Sequence, residues 1–211
     1  MCALEELVLI EFQIILVDDG SDKIKSSNLE NFKVSFLNIK LEKSIGISGA
    51  ILQGTRHALF EDILIIPGHN MYDSKVIINV LSLLGTGRII LGARNNLDHE
   101  RPFFKRVASR VMRDLYRHFF YYYVGDIHGL AIYKKHDIEN FLKCDDGHAQ
   151  GVIIVTKVLN QGGLLVQTLA PIKQGHKVAR SYNIRNNFPS LKQVSKIIRV
   201  IILLKRQAPN T

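Results

Sequence analysis

Cysteine is scarce in this chain, with two residues, Cys2 and Cys144, among 211. Two isolated thiols make neither a disulfide framework nor a metal cluster, which sets aside the small secreted scaffolds and points to a reducing setting. Uninterrupted apolar runs are short. None approaches the ~18 residues that suggest a membrane span, and the N-terminus carries no basic leader ahead of an apolar stretch. Repeats, low-complexity tracts and domain linkers are also missing. The expected location is therefore cytoplasmic, either soluble or peripheral on the cytoplasmic membrane face. Acidic residues are in deficit, 19 against 28 Lys and Arg, and the formal charge of +9 favours anionic partners such as nucleotide diphosphates, phospholipid surfaces or nucleic acid. What remains, 46% hydrophobic and 22% charged, is ordinary globular composition, enough for one sizeable core with a C-terminal extension.

Apolar runs and turn punctuation alternate in a way that predicts strand, helix, strand, helix rather than a series of hairpins. Phe12 to Val17 is a buried-type strand, and Val34 to Asn38 is a short second one. Gly46 to Ala58 opens on a glycine turn and repeats small residues, Ala50, Gly54 and Ala58, every fourth position. That spacing puts them on one helical face and lets the backbone approach a sheet closely. Asp62 to Ile66 predicts a strand, and Ser74 to Leu84 a helix whose first amides Asp73 or Ser74 would cap. Arg88 to Leu91, Leu130 to Tyr133 and Leu164 to Leu169 predict three more strands, with a helix near Gln150 to Asn160 before the last of them.

Two segments are strongly basic. From Arg101 to Tyr123 a helical pattern sets Arg110, Arg113 and Arg117 beside Tyr116, Phe119 and Phe120, suited to an acidic ligand or a membrane surface. From Ser190 to Arg206, Leu191, Val194, Ile197, Ile198, Ile201 and Leu204 mark one face, with Lys and Arg around the rest. Such a stripe either packs on its own domain or lies on an anionic bilayer. The expected division is a domain over residues 1–189 and a basic amphipathic helix and tail over 190–211.

The first strand ends in Asp18-Asp19-Gly20-Ser21, delivering two carboxylates and a glycine turn to its carboxyl end, where open α/β sheets bind ligands. An Asp there can accept hydrogen bonds from a base N–H or a ribose hydroxyl, and the glycine permits close approach. The same residues also suit an Asx turn or a helix cap.

Taken in order, several blocks resemble the family 2 glycosyltransferases, the nucleotide-sugar enzymes of GT-A fold that include the dolichyl-phosphate mannosyltransferases and polyprenyl-phosphate glycosyltransferases. The blocks are Ile15-Leu-Val-Asp-Asp-Gly-Ser21, the small-residue helix Ala50 to Ala58, the strand ending at Pro67 to Asp73, Gly92-Ala-Arg94, Asp126 to Gly129, and Gly162-Gly163 to Pro171. The resemblance spans nearly the whole chain and implies an α/β fold: a GT-A-like open, mostly parallel sheet flanked by helices. Only 11 residues precede Phe12, so the family's first strand is expected to be missing and Ile14 to Val17 to become a sheet edge.

The resemblance also assigns roles. Asp18, Asp19, Gly20, Ser21 and Arg94 would bind the nucleotide-sugar. The family's Asp-x-Asp motif, which holds Mg2+ or Mn2+ against the diphosphate, is replaced here by Pro67-Gly68-His69. Pro67 has no ligand atom, so metal affinity should be reduced or absent, with His69 and Asp73 the remaining candidate ligands. Asp126 and His128 would face the acceptor, and His176 and Arg180 would meet a diphosphate or phosphate acceptor. An inverting transfer to a hydroxyl needs a general base, whereas a phosphate acceptor is already anionic. Gln150, an amide, stands where the family commonly carries Glu or Asp, which leaves Asp126, Asp146 and His148 as candidates. The implied function is sugar transfer from a nucleotide diphosphate-sugar to a lipid-phosphate or glycan acceptor with inversion. The alternative is a noncatalytic remnant that binds the nucleotide-sugar or acts as a scaffold. Nucleic-acid binding rests on net charge and the Arg101 to Tyr123 segment alone, and is not the expected function.

Overall fold

A computed structural model of the chain describes residues 11–21, 35–68, 70–95, 110, 113–114, 117–118, 124–173, 199–200 and 203–204. The described elements are β1 (Gln13–Asp18), β2 (Ser35–Lys40), α1 (Gly46–Arg56), β3 (Asp62–Ile65), α2 (Ser74–Leu81), β4 (Ile89–Ala93), β5 (Leu130–Lys134), α3 (Lys135–Phe141), a short 3-10 turn (Gly147–Ala149), α4 (Gln150–Asn160) and β6 (Leu165–Leu169). The fold is mixed α/β and mostly parallel, with helices on its flanks.

The strands form two sheets rather than the single open sheet expected. β1 pairs in parallel with β2, Gln13 opposite Ser35 through Asp18 opposite Lys40. The larger sheet has the order β3-β5-β4-β6. Within it β5 runs against both neighbours, while β4 and β6 are parallel. Among the described residues β1 pairs with β2 alone; residues 1–10, on which the expectation of a missing first strand falls, lie outside the described residues.

The core follows the alternation of side chains along β4 and β5. Ile89 and Leu91 point to one face with Ala131 and Tyr133, where Leu52 of α1, Ile138 of α3 and the Val152 to Leu159 run of α4 cover them. Ile90, Leu130 and Ile132 point to the other, against Val80 of α2, Tyr72 and Ile172. Both strands are thus buried on both faces, which their continuous apolar runs require. Each fully buried Ile or Val contributes about 1.5–3 kcal/mol, and β4 and β5 are the most deeply buried strands among the described residues. β1 differs: Ile14, Ile15, Leu16 and Val17 are only half-buried.

Several boundaries move. α1 stops at Arg56, with His57 as its C-cap, because its first and last residues are set by hydrogen bonding rather than by small-residue spacing. β4 continues to Ala93 because its pairing with β6 extends that far. α2 ends at Leu81, and its N-cap Asp73 makes no side-chain cap, contrary to expectation. The helix α3 was not anticipated, as its seven residues are too few to show a period. Its reason is tertiary: Asp137 is fully buried and bound at Oδ2 by Arg88 Nε at 2.9 Å, with Gln161 accepting from the same guanidinium at 3.0 Å.

Of the two basic segments little is described. Arg110, Arg113 and Arg117 are helical and exposed. Near the C-terminus, Val200 and Leu204 lie on one helical face and pack on the main core, so the described part of that stripe serves the domain. Val200 was not among the apolar positions picked out above. The proposed 189/190 boundary falls outside the described residues.

Candidate functional site

The carboxyl end of β1 forms one cluster. Asp18 Oδ1 accepts the Ser21 N–H at 2.9 Å. The side chain is buried, and Oδ2 has no hydrogen-bond partner among the described residues. The Ser21 hydrogen bonds, helped by Lys40, keep its carboxyl below the usual carboxylate range against the opposing effect of burial. It is therefore charged at neutral pH, with one oxygen uncommitted. Gly20, at φ 75°, makes the turn possible, since a Cβ there would come within 2.8 Å of the Ser44 backbone nitrogen.

Asp19 is committed elsewhere. Its carboxylate accepts the Ser44 hydroxyl at 2.7 Å, the Ile45 N–H at 2.7 Å and the Gly46 N–H at 3.1 Å. Burial pushes its carboxyl up, but these three donors outweigh that and hold it below the ordinary value. Asp19 thus ties the end of β1 to the start of α1, satisfying amides that the helix itself leaves open. The cap reading of this acid describes its geometry, across 26 residues of sequence rather than locally.

A second cluster gathers at the carboxyl end of β4. Arg94 Nε binds Asp126 Oδ2 at 2.5 Å and Nη2 binds Oδ1 at 3.0 Å, while Oδ1 also accepts the His128 N–H at 3.0 Å. The two side chains are 10% and 14% exposed, so the pair is shielded from water. Burial would raise the Asp126 carboxyl, yet the Arg94 hydrogen bonds and charge, with the His128 amide, hold it down. The sequence brought Arg94 forward as a phosphate ligand and Asp126 as a catalytic or acceptor-facing acid. The structure joins them to each other in a bidentate pair, the geometry in which a guanidinium holds a carboxylate most firmly. The two segments approach closely, for Gly129 lies against the Gly92 carbonyl where a Cβ would not fit.

Three residues of this region escaped the sequence reading. Tyr72 is buried within electrostatic reach of Arg94 and Asp126, its hydroxyl without a hydrogen-bond partner among the described residues, and burial pushes its phenol up. Gln167 Oε1 accepts the Gly125 N–H at 2.9 Å. Lys173 donates through its backbone N–H to Met71 O at 2.9 Å and through Nζ to Asn70 Oδ1 at 2.9 Å, with Asp73 Oδ1 at 3.9 Å. Asn70 takes a left-handed φ of 51°, which turns the loop after β3 toward this lysine. No local pattern marks these three, since each acts on a residue remote in sequence.

Asp146 Oδ2 accepts the Lys143 N–H at 2.6 Å, closing its own turn. His148 lies in the adjoining 3-10 turn, of which Gly147 O accepts the Ser48 hydroxyl of α1 at 2.8 Å. His69, His176 and Arg180 fall outside the described residues. Among the described residues no three His, Cys, Asp or Glu side chains come together as a metal site, and no helix is long and apolar enough to cross a membrane. Compared with protein-family models and with curated proteins, the sequence matches none.

Proposed function

We propose that this chain binds a nucleotide diphosphate-sugar at the carboxyl ends of β1, β3 and β4 and transfers the sugar, with inversion, to a lipid phosphate. The observation that carries the reading is Asp18: a buried, charged carboxylate at the glycine turn that ends β1, with one oxygen unpartnered among the described residues. A base N–H or ribose hydroxyl would satisfy that oxygen. The ordered blocks that resemble family 2 glycosyltransferases give the ligand its class.

Two further features refine it. Lys173 brings an ammonium to the Pro67 to Asp73 loop, where the family holds its cation. A diphosphate could be neutralised there by lysine, so binding is expected without Mn2+ or Mg2+. Asp126 has both oxygens engaged by Arg94 and His128 and is poorly placed to take a proton. An acceptor that is already anionic attacks without a base, which favours a lipid phosphate over a glycan hydroxyl. The engaged state of Asp126 also supports the second reading, a protein that binds the nucleotide-sugar and does not turn it over.

Calorimetric titration with UDP- and GDP-sugars, with and without Mn2+, tests the donor site. Binding of one donor that Mn2+ does not change, weakened ~10-fold or more by Asp18→Asn and by Lys173→Met, is the expected result. Failure of every nucleotide-sugar to bind the folded protein would overturn it. Release of sugar onto a polyprenyl phosphate, absent with a glycan, separates the enzyme from the noncatalytic binder.

A further inference from the structure

The two oxygens of the buried Asp18 carboxylate are not equivalent. Oδ1 accepts the Ser21 N–H at 2.9 Å. The Ser21 side chain bonds the same carboxylate, and because Oδ2 has no partner among the described residues, that bond falls on Oδ1 as well. A carboxylate oxygen offers two lone pairs, so Oδ1 is filled. The backbone builds this in. Gly20, at φ 75°, turns Ser21 back over the end of β1, and the Lys43 and Ser44 backbone packs where a Cβ on Gly20 would stand. A donor arriving from a ligand therefore meets Oδ2.

Asp19 does not add to this count, since its carboxylate is taken up by the Ser44 hydroxyl and by the Ile45 and Gly46 N–H groups. The neighbouring strand contributes a cation. Lys40 stands opposite Asp18 in the register of β1 with β2, and its charge helps to hold the Asp18 carboxyl down. Among the described residues, the carboxyl end of β1 thus presents one buried anionic acceptor, Asp18 Oδ2, with a positive group nearby. A buried acceptor of this kind selects its ligand by the number of donors the ligand brings, because a desolvated donor left over is penalised.

We infer that the donor site proposed above, on which this rests, takes an imide pyrimidine, uracil or thymine, bound through its N3–H to Asp18 Oδ2, and discriminates against guanine. Guanine shows N1–H and N2–H side by side, an edge that matches a carboxylate with both oxygens open. The 2′ and 3′ hydroxyls of ribose form a similar pair. Against Asp18 either would leave a donor unpaired. The amines of adenine and cytosine carry two hydrogens, and one is again left over. Uracil and thymine bring a single donor between two carbonyls. That edge gives Oδ2 its one hydrogen bond and leaves a carbonyl to face the Lys40 charge.

Calorimetric titration of the full chain with UDP, dTDP, GDP, ADP and CDP reads the preference. UDP or dTDP should bind about tenfold or more tighter than GDP, and the tighter of the two identifies the pyrimidine. UDP methylated at N3 keeps the ring, the ribose and the diphosphate but lacks the donor, and its affinity should fall about tenfold or more below that of UDP. Asp18→Asn leaves Oδ1 to Ser21 and sets an N–H where Oδ2 stood. That N–H meets an acceptor in N3 of cytosine, so the ratio of UDP to CDP affinity should fall about tenfold. GDP binding as tightly as UDP, or N3-methyl-UDP binding as tightly as UDP, would overturn the inference and leave the donor site standing. Failure of every nucleotide to bind the folded protein would overturn both. Should Asp18→Asn not fold, the comparison of N3-methyl-UDP with UDP on the unaltered chain decides.

Discussion

Removing the Arg94 guanidinium while keeping its aliphatic bulk, as Arg94→Met does, leaves Asp126 almost buried without its counter-charge. Breaking a buried pair at one partner costs about 3–5 kcal/mol in general. Here the carboxylate keeps the His128 N–H at 3.0 Å and the Arg94 backbone N–H at 3.3 Å, both independent of the substituted side chain. The lower end, about 3 kcal/mol at neutral pH, is therefore expected. For a chain of this size that is a fall of roughly 6–12 °C in Tm, or about 1.5 M in urea midpoint at a slope of 2 kcal/mol/M. The pH dependence makes the test specific. In the wild type the Asp126 carboxyl is held below its ordinary value, so its contribution is present above an unfolded pKa of about 3.9 and is lost as pH falls through the lower folded value. Without the guanidinium, burial dominates and the folded pKa rises, so lowering the pH from about 7.5 to about 4.5 should protonate Asp126 and shrink the penalty. Urea unfolding followed by circular dichroism at both pH values measures it. A penalty under about 1 kcal/mol, or one that does not shrink with acid, would refute the account. Arg94→Lys should fall between, since an ammonium keeps the charge but not the fork.

Three other outcomes follow from the geometry. Asp19→Ala leaves the Ile45 and Gly46 amides without their acceptor and should cost about 2 kcal/mol by urea unfolding, with Asp19→Asn recovering part of it. Gly20→Ala forces a side chain onto a φ of 75° and against the Ser44 backbone, and should cost about 2 kcal/mol or more; loss of less than about 0.5 kcal/mol would contradict the turn. Asp137→Ala strips a fully buried carboxylate from Arg88, whose side chain is 29% exposed and partly rehydrates. A loss of about 2–3 kcal/mol is expected, and Arg88→Met combined with it should cost less than the sum of the two single changes.

Much of the secondary structure was legible because period and punctuation are local. The continuous apolar run Ile89 to Leu91 could only be satisfied by burial on both faces, and it became the strand between two cores. The helix at Gln150 to Asn160 carried enough apolar residues to be recognised without its neighbours. The short helix Lys135–Phe141 did not, because what holds it is an ion pair to a residue 49 positions away. The site was legible as residue types and opaque as partnerships. Asp18 and Asp19 are adjacent and chemically identical, yet among the described residues one has an oxygen without a partner while the other spends both at the start of α1.

By itself, the sequence determined that this chain would alternate strands and helices, that carboxylates would sit at the end of the first described strand, and that the protein would be basic. Those properties depend on side-chain spacing and on charges that can be counted. Only the tertiary structure decided that Arg94 and Asp126 bind one another across 32 residues, that Lys173 enters the loop after β3, and that the described strands divide into two sheets. The physical reason is the same in each case. Hydrogen bonds and ion pairs form between groups that packing brings within about 3 Å, and the local chain carries no record of which distant group that will be.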